Sequence, residues 1–235
     1  MLTAPQFSPA GLDSVRRRII AAARVAGRDP AGIRLVAVSK QQPADAIRAA
    51  HSAGQRDFGE NYLQEAEPKL AALRGLAISW HFIGRLQANK TREIAVSFDW
   101  VHSVDRERIA TRLAEQRPPD RAPLKVLLQV RLGNEPGKAG IDPDALPPLA
   151  ATVSALPRLE LRGLMCMPEP ATVEAAQRAP FRRLRELLLD LNRRGHSLDT
   201  LSMGMSGDLE AAIAEGATMV RIGSAIFGER PRPPA

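Results

Sequence analysis

The sequence of 235 residues contains only one cysteine, Cys166. A single cysteine cannot form a disulfide within the chain, and it cannot supply the several thiolates of a zinc or iron–sulfur site. The histidines are also few, and they lack the short spacing of a zinc-binding motif: His51, His81, His102 and His196. We therefore predict neither a disulfide-stabilised fold nor a metal centre.

Long apolar runs and clustered charge are missing as well. No stretch approaches the roughly 20 apolar residues of a membrane helix, and Met1–Ala10 lacks the order of a signal peptide, so we expect a cytoplasmic protein without a membrane partner. The net charge of +7 would suit a nucleic-acid binder, but the arginines are spread over helical stretches such as Val15–Arg24 and Arg182–Arg194. Only 4% of the residues are aromatic, which leaves few platforms for base stacking. Nucleic acid is therefore not an expected partner.

What the sequence does contain is a regular alternation of short aliphatic runs and longer stretches with helical apolar spacing. The strand-like runs number eight: Arg34–Ser39, Arg56–Phe58, Trp80–Ile83, Trp100–His102, Val126–Val130, Leu159–Leu164, Thr200–Ser202 and Met219–Ile222. The helical candidates are Ala44–Ala53, Tyr62–Leu73, Leu86–Val96, Arg106–Gln116, Pro143–Ala155, Phe181–Arg194 and Leu209–Glu215. This pattern and the chain length predict a single α/β domain, a (β/α)8 TIM-type barrel over residues 1–235, although an open doubly wound sheet would alternate in the same way.

An extra helix is predicted before the first strand. Its apolar residues fall on one face at three- and four-residue steps: Leu12, Val15, Ile19 and Ala23. Gly27 and Pro30 mark its end. We expect this helix to cover the outside or the bottom of the barrel.

Lys40 directly follows the first predicted strand, and reactive groups in such barrels lie at the carboxyl ends of strands. Burial there would lower the pKa of the amine and favour the neutral form that an aldehyde cofactor needs for imine formation. The alternative is a lysine that ends the strand with its charge in water, and the spacing alone does not decide between the two. The other lysines lie on predicted helices, before a strand or in a loop: Lys69, Lys90, Lys125 and Lys138.

Three further strand ends carry polar or glycine-rich turns. Gly223 and Ser224 follow the last strand, and Ser206 lies in the turn after the seventh; two adjacent turns of this kind could bind one phosphate through backbone N–H groups. Asn61 follows the second strand and could hydrogen-bond a ligand or cap the next helix. His81 is a further polar residue beside a strand. Glycines that merely permit tight turns remain the alternative for both phosphate turns.

Several motifs resemble the pyridoxal phosphate homeostasis protein family, in the order and approximate spacing of that family. They are Val36–Lys40, Phe58–Tyr62, His81–Gly84, Gln87–Lys90, Ser202–Ser206 and Val220–Gly228. The resemblance implies a barrel like the N-terminal domain of alanine racemase, with pyridoxal 5′-phosphate (PLP) as a Schiff base on Lys40. It also implies phosphate contacts from Ser206, Gly223 and Ser224, and it places Arg221 near the pyridine nitrogen.

The function that the resemblance implies is to bind, buffer and deliver PLP to PLP-dependent apo-enzymes, with the protein acting as a monomer. The alternative is a PLP-dependent amino-acid racemase. Racemisation by the related barrel enzymes uses a tyrosine from a partner subunit as second base, whereas this sequence stops at Ala235 and has Tyr62 as its only tyrosine. An arginine at the pyridine nitrogen would also make the ring a weak electron sink, because guanidinium cannot accept the ring proton. We therefore expect a carrier rather than an enzyme.

Overall fold

Eight parallel strands close into a barrel in the computed structural model, which describes residues 7–133 and 139–228. The strands follow one another in sequence order, and β1 pairs with both β2 and β8. Their bounds are β1 (Arg34–Val38), β2 (Asp57–Glu60), β3 (Ser79–Phe82), β4 (Trp100–Val104), β5 (Leu124–Gln129), β6 (Leu159–Met165), β7 (Thr200–Ser202) and β8 (Met219–Ile222). This closure confirms the predicted (β/α)8 barrel and excludes the open sheet.

Helices connect the strands and surround the barrel. They are α1 (Pro9–Val25), α2 (Ala44–Ser52), α3 (Leu63–Ala72), α4 (Thr91–Ser97), α5 (Glu107–Gln116), α6 (Leu146–Ala155), α7 (Glu174–Arg193), α8 (Leu209–Ala214) and α9 (Ser224–Phe227). Short 3-10 turns lie at Pro30–Gly32, Ala88–Lys90 and Pro143–Ala145. No helix within the described residues combines the length and the apolar composition that crossing a bilayer requires.

Helix α7 departs most from the prediction, because it begins at Glu174 rather than at Phe181. The predicted helix begins after Pro180, yet this proline lies inside the observed helix, where it removes one backbone donor. Arg178 lies in the same early part of α7 and donates to the buried carboxylate of Glu215 at 2.8 Å. Tertiary contacts thus hold the first turns of α7 in helical form despite the proline.

Helix α1 lies outside the barrel, against α8 and α9. The Ser8 hydroxyl caps it by accepting from the N–H of Gly11 at 3.1 Å. The predicted apolar residues are its buried face: Leu12, Val15, Ile19 and Ala23. A Cβ at Gly11 would lie 2.5 Å from the carbonyl oxygen of Ala225, so the two backbones are in close contact. The prediction of an outer covering helix is therefore correct.

The strand side chains form two apolar regions. Most pack outward against the helices in one continuous core. A smaller group, drawn from five strands, lies inside the barrel: Val36, Trp100, Leu127, Met165 and Met219. At the amino ends of the strands, the cations of Arg34, Lys125 and Arg162 lie 5.2–5.9 Å from the ring of Trp100. Because strand residues alternate between the two faces, Arg221 shares the inward face with Met219, two positions before it.

Candidate functional site

Five of the six predicted site residues follow the carboxyl ends of strands, and Arg221 lies within β8. Lys40 comes two residues after β1, Asn61 directly after β2, and Gly223 directly after β8. The ends of β1 and β8 are close, because a Cβ at Gly223 would lie 3.2 Å from the carbonyl oxygen of Val38. Of the other lysines, Lys138 lies outside the described residues.

Lys40 is half-buried in a turn whose backbone is held on both sides. Before it, the N–H of Ser39 donates to the carbonyl of Gly59 at 3.0 Å, which continues the pairing of β1 with β2. After it, Gln41 adopts a left-handed conformation with φ of 62°, which is rare for a residue with a side chain. The N–H of Gln41 donates to the Glu65 carboxylate at 2.9 Å. The main chain on either side of Lys40 is therefore fixed.

A buried ion pair lies directly beside this turn. The ammonium group of Lys69 donates to Glu60 at 2.8 and 3.0 Å and to the carbonyl of Ser39 at 2.8 Å. The Ser39 hydroxyl donates to the same carboxylate at 2.6 Å. Burial raises the pKa of Glu60, and the cation of Lys69 opposes that shift. Both side chains are almost wholly removed from water, so this cluster ties α3 to the end of β1.

Asn61 is held in place by the next strand end. A Cβ at Gly84 would lie 1.9 Å from the carbonyl oxygen of Asn61, so only glycine permits this approach. The side-chain oxygen of Asn61 is buried and accepts no hydrogen bond within the described part of the chain. Buried acceptors are normally paired, and an unpaired one is a feature that a bound ligand can explain. The neighbouring Tyr62 is 54% exposed.

The turn after β7 carries Ser206. Asp208 closes it, because its carboxylate accepts from the N–H of Met205 at 2.5 Å. Burial raises the pKa of Asp208. Arg18 of α1 donates to the carbonyl of Ser206 at 3.0 Å, so the extra helix contacts this turn directly. The adjacent turn after β8 is closed by the carbonyl of Gly223, which accepts from two backbone N–H groups.

Arg221 is 4% exposed and points into the barrel. Its guanidinium donates to the hydroxyl of Ser202 at 2.7 Å and to the carbonyl of Cys166 at 2.8 Å. Burial lowers the pKa of Arg221 from its ordinary value. Burial also raises the pKa of the Cys166 thiol to about 12. The site therefore contains a fixed cation on β8 and a protonated thiol beside it.

Sequence reasoning missed two groups of residues. The ion pair of Glu60 with Lys69 could not be predicted, because a lysine on a predicted helix is normally exposed to solvent. His81 and His102 are far apart in sequence and lack the spacing of a zinc-binding pair, yet His81 Nδ1 and His102 Nε2 lie 2.9 Å apart. The available signal is that the two histidines lie on consecutive predicted strands, at Trp80–Ile83 and Trp100–His102.

Comparison with known proteins agrees with this architecture. Residues 11–231 match the family described as alanine racemase, N-terminal domain. A pyridoxal phosphate homeostasis protein from Pseudomonas aeruginosa is 62% identical over 216 residues, which cover 92% of this chain and 93% of the relative. The structure of PipY from Synechococcus elongatus, solved with PLP bound, is 40% identical with a TM-score of 0.79. That match covers 89% of this chain and 100% of the PipY chain.

Alanine racemase itself is a more distant relative. The enzyme from Streptomyces coelicolor is 23% identical with a TM-score of 0.71, and the match covers 96% of this chain but 60% of the racemase. At that identity the likeness extends to the fold alone. The chain belongs to the pyridoxal phosphate homeostasis protein family, within the larger family of the alanine racemase N-terminal domain.

Proposed function

We propose that this chain binds PLP on Lys40 and acts in PLP homeostasis by buffering the cofactor and delivering it to apo-enzymes. The observation that carries the proposal is the placement of Lys40 in a fixed turn at the end of β1, next to β8 with its buried Arg221. The name of the Pseudomonas relative and the bound PLP of PipY support it. The aldehyde of PLP condenses with a primary amine to an imine, with loss of one water.

The residues around Lys40 fit the remaining parts of the cofactor. The unpaired side-chain oxygen of Asn61 can accept a hydrogen bond from a ring substituent. Ser206, Gly223 and Ser224 lie in two turns after adjacent strands, where backbone N–H groups suit a phosphate dianion. Arg221 supplies donors on the inward face of β8, and two of its five N–H groups are already used by Ser202 and Cys166.

The same residues favour holding the cofactor over catalysis with it. A guanidinium at the ring nitrogen cannot accept the ring proton, so it does not assist carbanion formation as a carboxylate would. The only tyrosine of the chain, Tyr62, is half exposed beside Asn61. We propose a carrier that works in the cytoplasm as a monomer and as one domain.

Incubation of the loaded protein with L-alanine in deuterated water should give no catalytic exchange at Cα, and exchange with inversion would instead identify a racemase.

Borohydride reduction tests the attachment to Lys40. After loading with PLP and reduction, the cofactor should be fixed to the peptide that contains Lys40, and mass spectrometry locates the added mass. The Lys40→Ala variant should carry no label, because the Lys69 ammonium, which also lies at the end of β1, is buried and held by Glu60 and the Ser39 carbonyl.

Lys90→Ala is the matched control, since Lys90 is half-buried after β3, another strand of the same barrel. It should be labelled as fully as the unmodified chain. Label on a different lysine, or none at all on the unmodified chain, would refute the attachment.

A further inference from the structure

A continuous chain of buried hydrogen bonds runs through the inside of the barrel, from its amino end to Arg221. Its members come from the three adjacent strands β2, β3 and β4 and from the neighbouring strands β7 and β8: Asp57, His81, His102, Ser202 and Arg221. The successive contacts measure 3.0 Å from Asp57 to His81, 2.9 Å from His81 to His102, 2.9 Å from His102 to Ser202 and 2.7 Å from Ser202 to Arg221. Neither the fold nor the attachment of a cofactor to Lys40 requires such a chain.

The two ends of the chain fix the position of every hydrogen in it. The ionised Asp57 can only accept, so His81 carries its hydrogen on Nε2 and leaves Nδ1 as an acceptor. His102 then donates from Nε2 to His81, and its own Nδ1 accepts from the hydroxyl of Ser202. That hydroxyl is left with lone pairs for Arg221, which can only donate. All four hydrogen bonds therefore point from Arg221 towards Asp57.

The environment keeps both histidines neutral. Burial lowers the pKa of His81 and lowers that of His102 well below its ordinary value, and the cation of Arg221 adds to the shift of His102. Burial alone would raise the pKa of Asp57, but the hydrogen bond from His81 and the cation of Arg34 together lower it. Trp100 stacks on His81 with ring centroids 5.5 Å apart. The other polar contact of His81 is the Ser79 hydroxyl at 3.4 Å, longer than the contact to Asp57.

We propose that Asp57, His81, His102 and Ser202 are positioning residues that fix the orientation of Arg221 towards the ring nitrogen of PLP. None of the four touches the cofactor; each acts through the next. The Ser202 hydroxyl and the Cys166 carbonyl take two of the five guanidinium N–H donors, which leaves three for the cofactor. The inference rests on the proposed function only where it assigns the ring nitrogen to Arg221. The assignment of each hydrogen to its donor atom in the chain does not depend on a bound cofactor.

The order of the hydrogens can be read from the protein before PLP is added. Long-range 1H–15N NMR spectra of histidine-labelled protein at neutral pH should show both His81 and His102 as neutral rings with the hydrogen on Nε2. A cationic ring, or a hydrogen on Nδ1 of either residue, would overturn the proposal. This measurement needs no cofactor, so its result is separate from the borohydride test on Lys40.

Asp57→Asn tests whether the far end of the chain sets its direction. An amide can donate to His81 Nε2, so the chain can reverse, and the Nδ1–H form should appear in both histidines together. After loading, release of PLP should be about threefold faster and the absorption of the bound cofactor should shift, because Arg221 then shares the Ser202 oxygen with a second donor. Arg34→Gln is the matched control: it removes the other partner of Asp57 at 3.1 Å and should change neither spectrum.

Ser202→Ala tests the near end. This variant lacks the hydroxyl that accepts from Arg221 and donates to His102 Nδ1. Release of PLP should therefore be about tenfold faster. Ser202→Thr restores the hydroxyl and should restore slow release. If loaded Ser202→Ala and Asp57→Asn release PLP at the rate of the unmodified protein, the positioning role is wrong even though PLP binding on Lys40 stands.

Discussion

Replacement of Lys69 by methionine should lower the free energy of unfolding by about 3–5 kcal/mol, because it leaves the Glu60 carboxylate buried without a countercharge. Glu60 is fully buried, and in the Lys69→Met variant the Ser39 hydroxyl is the one charge-stabilising donor left to it among the described residues. The substitution also removes the hydrogen bond from Lys69 to the Ser39 carbonyl, directly before Lys40. Urea unfolding at neutral pH measures the loss.

The double variant Lys69→Met with Glu60→Gln separates the charge from the packing. A neutral amide in place of the carboxylate removes the uncompensated charge, so most of the lost stability should return. A single variant that loses less than about 1 kcal/mol would mean that water reaches Glu60, and it would contradict the burial described above. A double variant no more stable than the single one would assign the loss to packing around the methionine instead.

The second large expected effect is a loss of folding stability as the pH falls. Both buried histidines have lowered pKa values in the folded protein, so below the ordinary value of about 6.5 the unfolded chain binds protons that the folded chain excludes. Stability is then complete above that pH and falls as the pH falls. The maximum slope is about 1.4 kcal/mol per pH unit for each histidine. Urea unfolding between pH 7 and pH 5 should therefore show a steep loss of stability.

Glu60 and Asp208 act in the opposite direction, because their raised pKa values let the folded state take up protons before the unfolded state does. The pKa of His102 lies well below its ordinary value and that of His81 is lowered too, so the net slope should still be a loss towards acid. His102→Gln isolates the histidine contribution and should reduce the slope by about 1.4 kcal/mol per pH unit. An unaltered slope in His102→Gln would mean that His102 takes up its proton at the same pH in the folded and the unfolded protein.

The architecture could be predicted from the sequence because the same strand and helix pattern recurs along the whole chain. Each strand is a short apolar run and each helix has an apolar stripe, so a wrong boundary in one unit does not alter the fold. The errors lie at such boundaries: β2 extends to Glu60 because Gly59 and Glu60 pair with β3, although neither residue favours a strand. The helix predicted from Phe181 likewise starts too late, because α7 begins at Glu174.

The site was less predictable because its contacts depend on register. The contact between His81 and His102 exists because β3 and β4 pair with a specific offset, and the next contact reaches Ser202 across the barrel interior. The neighbourhood of Lys40 could be anticipated, since it follows a buried strand. The burial of Lys69 could not, because an isolated lysine on a helix gives no indication of the carboxylate that faces it.

The buried thiol of Cys166 has a practical consequence for labelling. With its pKa raised to about 12 and no exposed surface, this thiol forms almost no thiolate at neutral pH. It is also the only cysteine in the chain. A cysteine introduced at an exposed position such as Tyr62 is then the single thiol available to maleimide dyes, so a fluorophore can be attached beside the turn of Lys40 in an otherwise natural sequence.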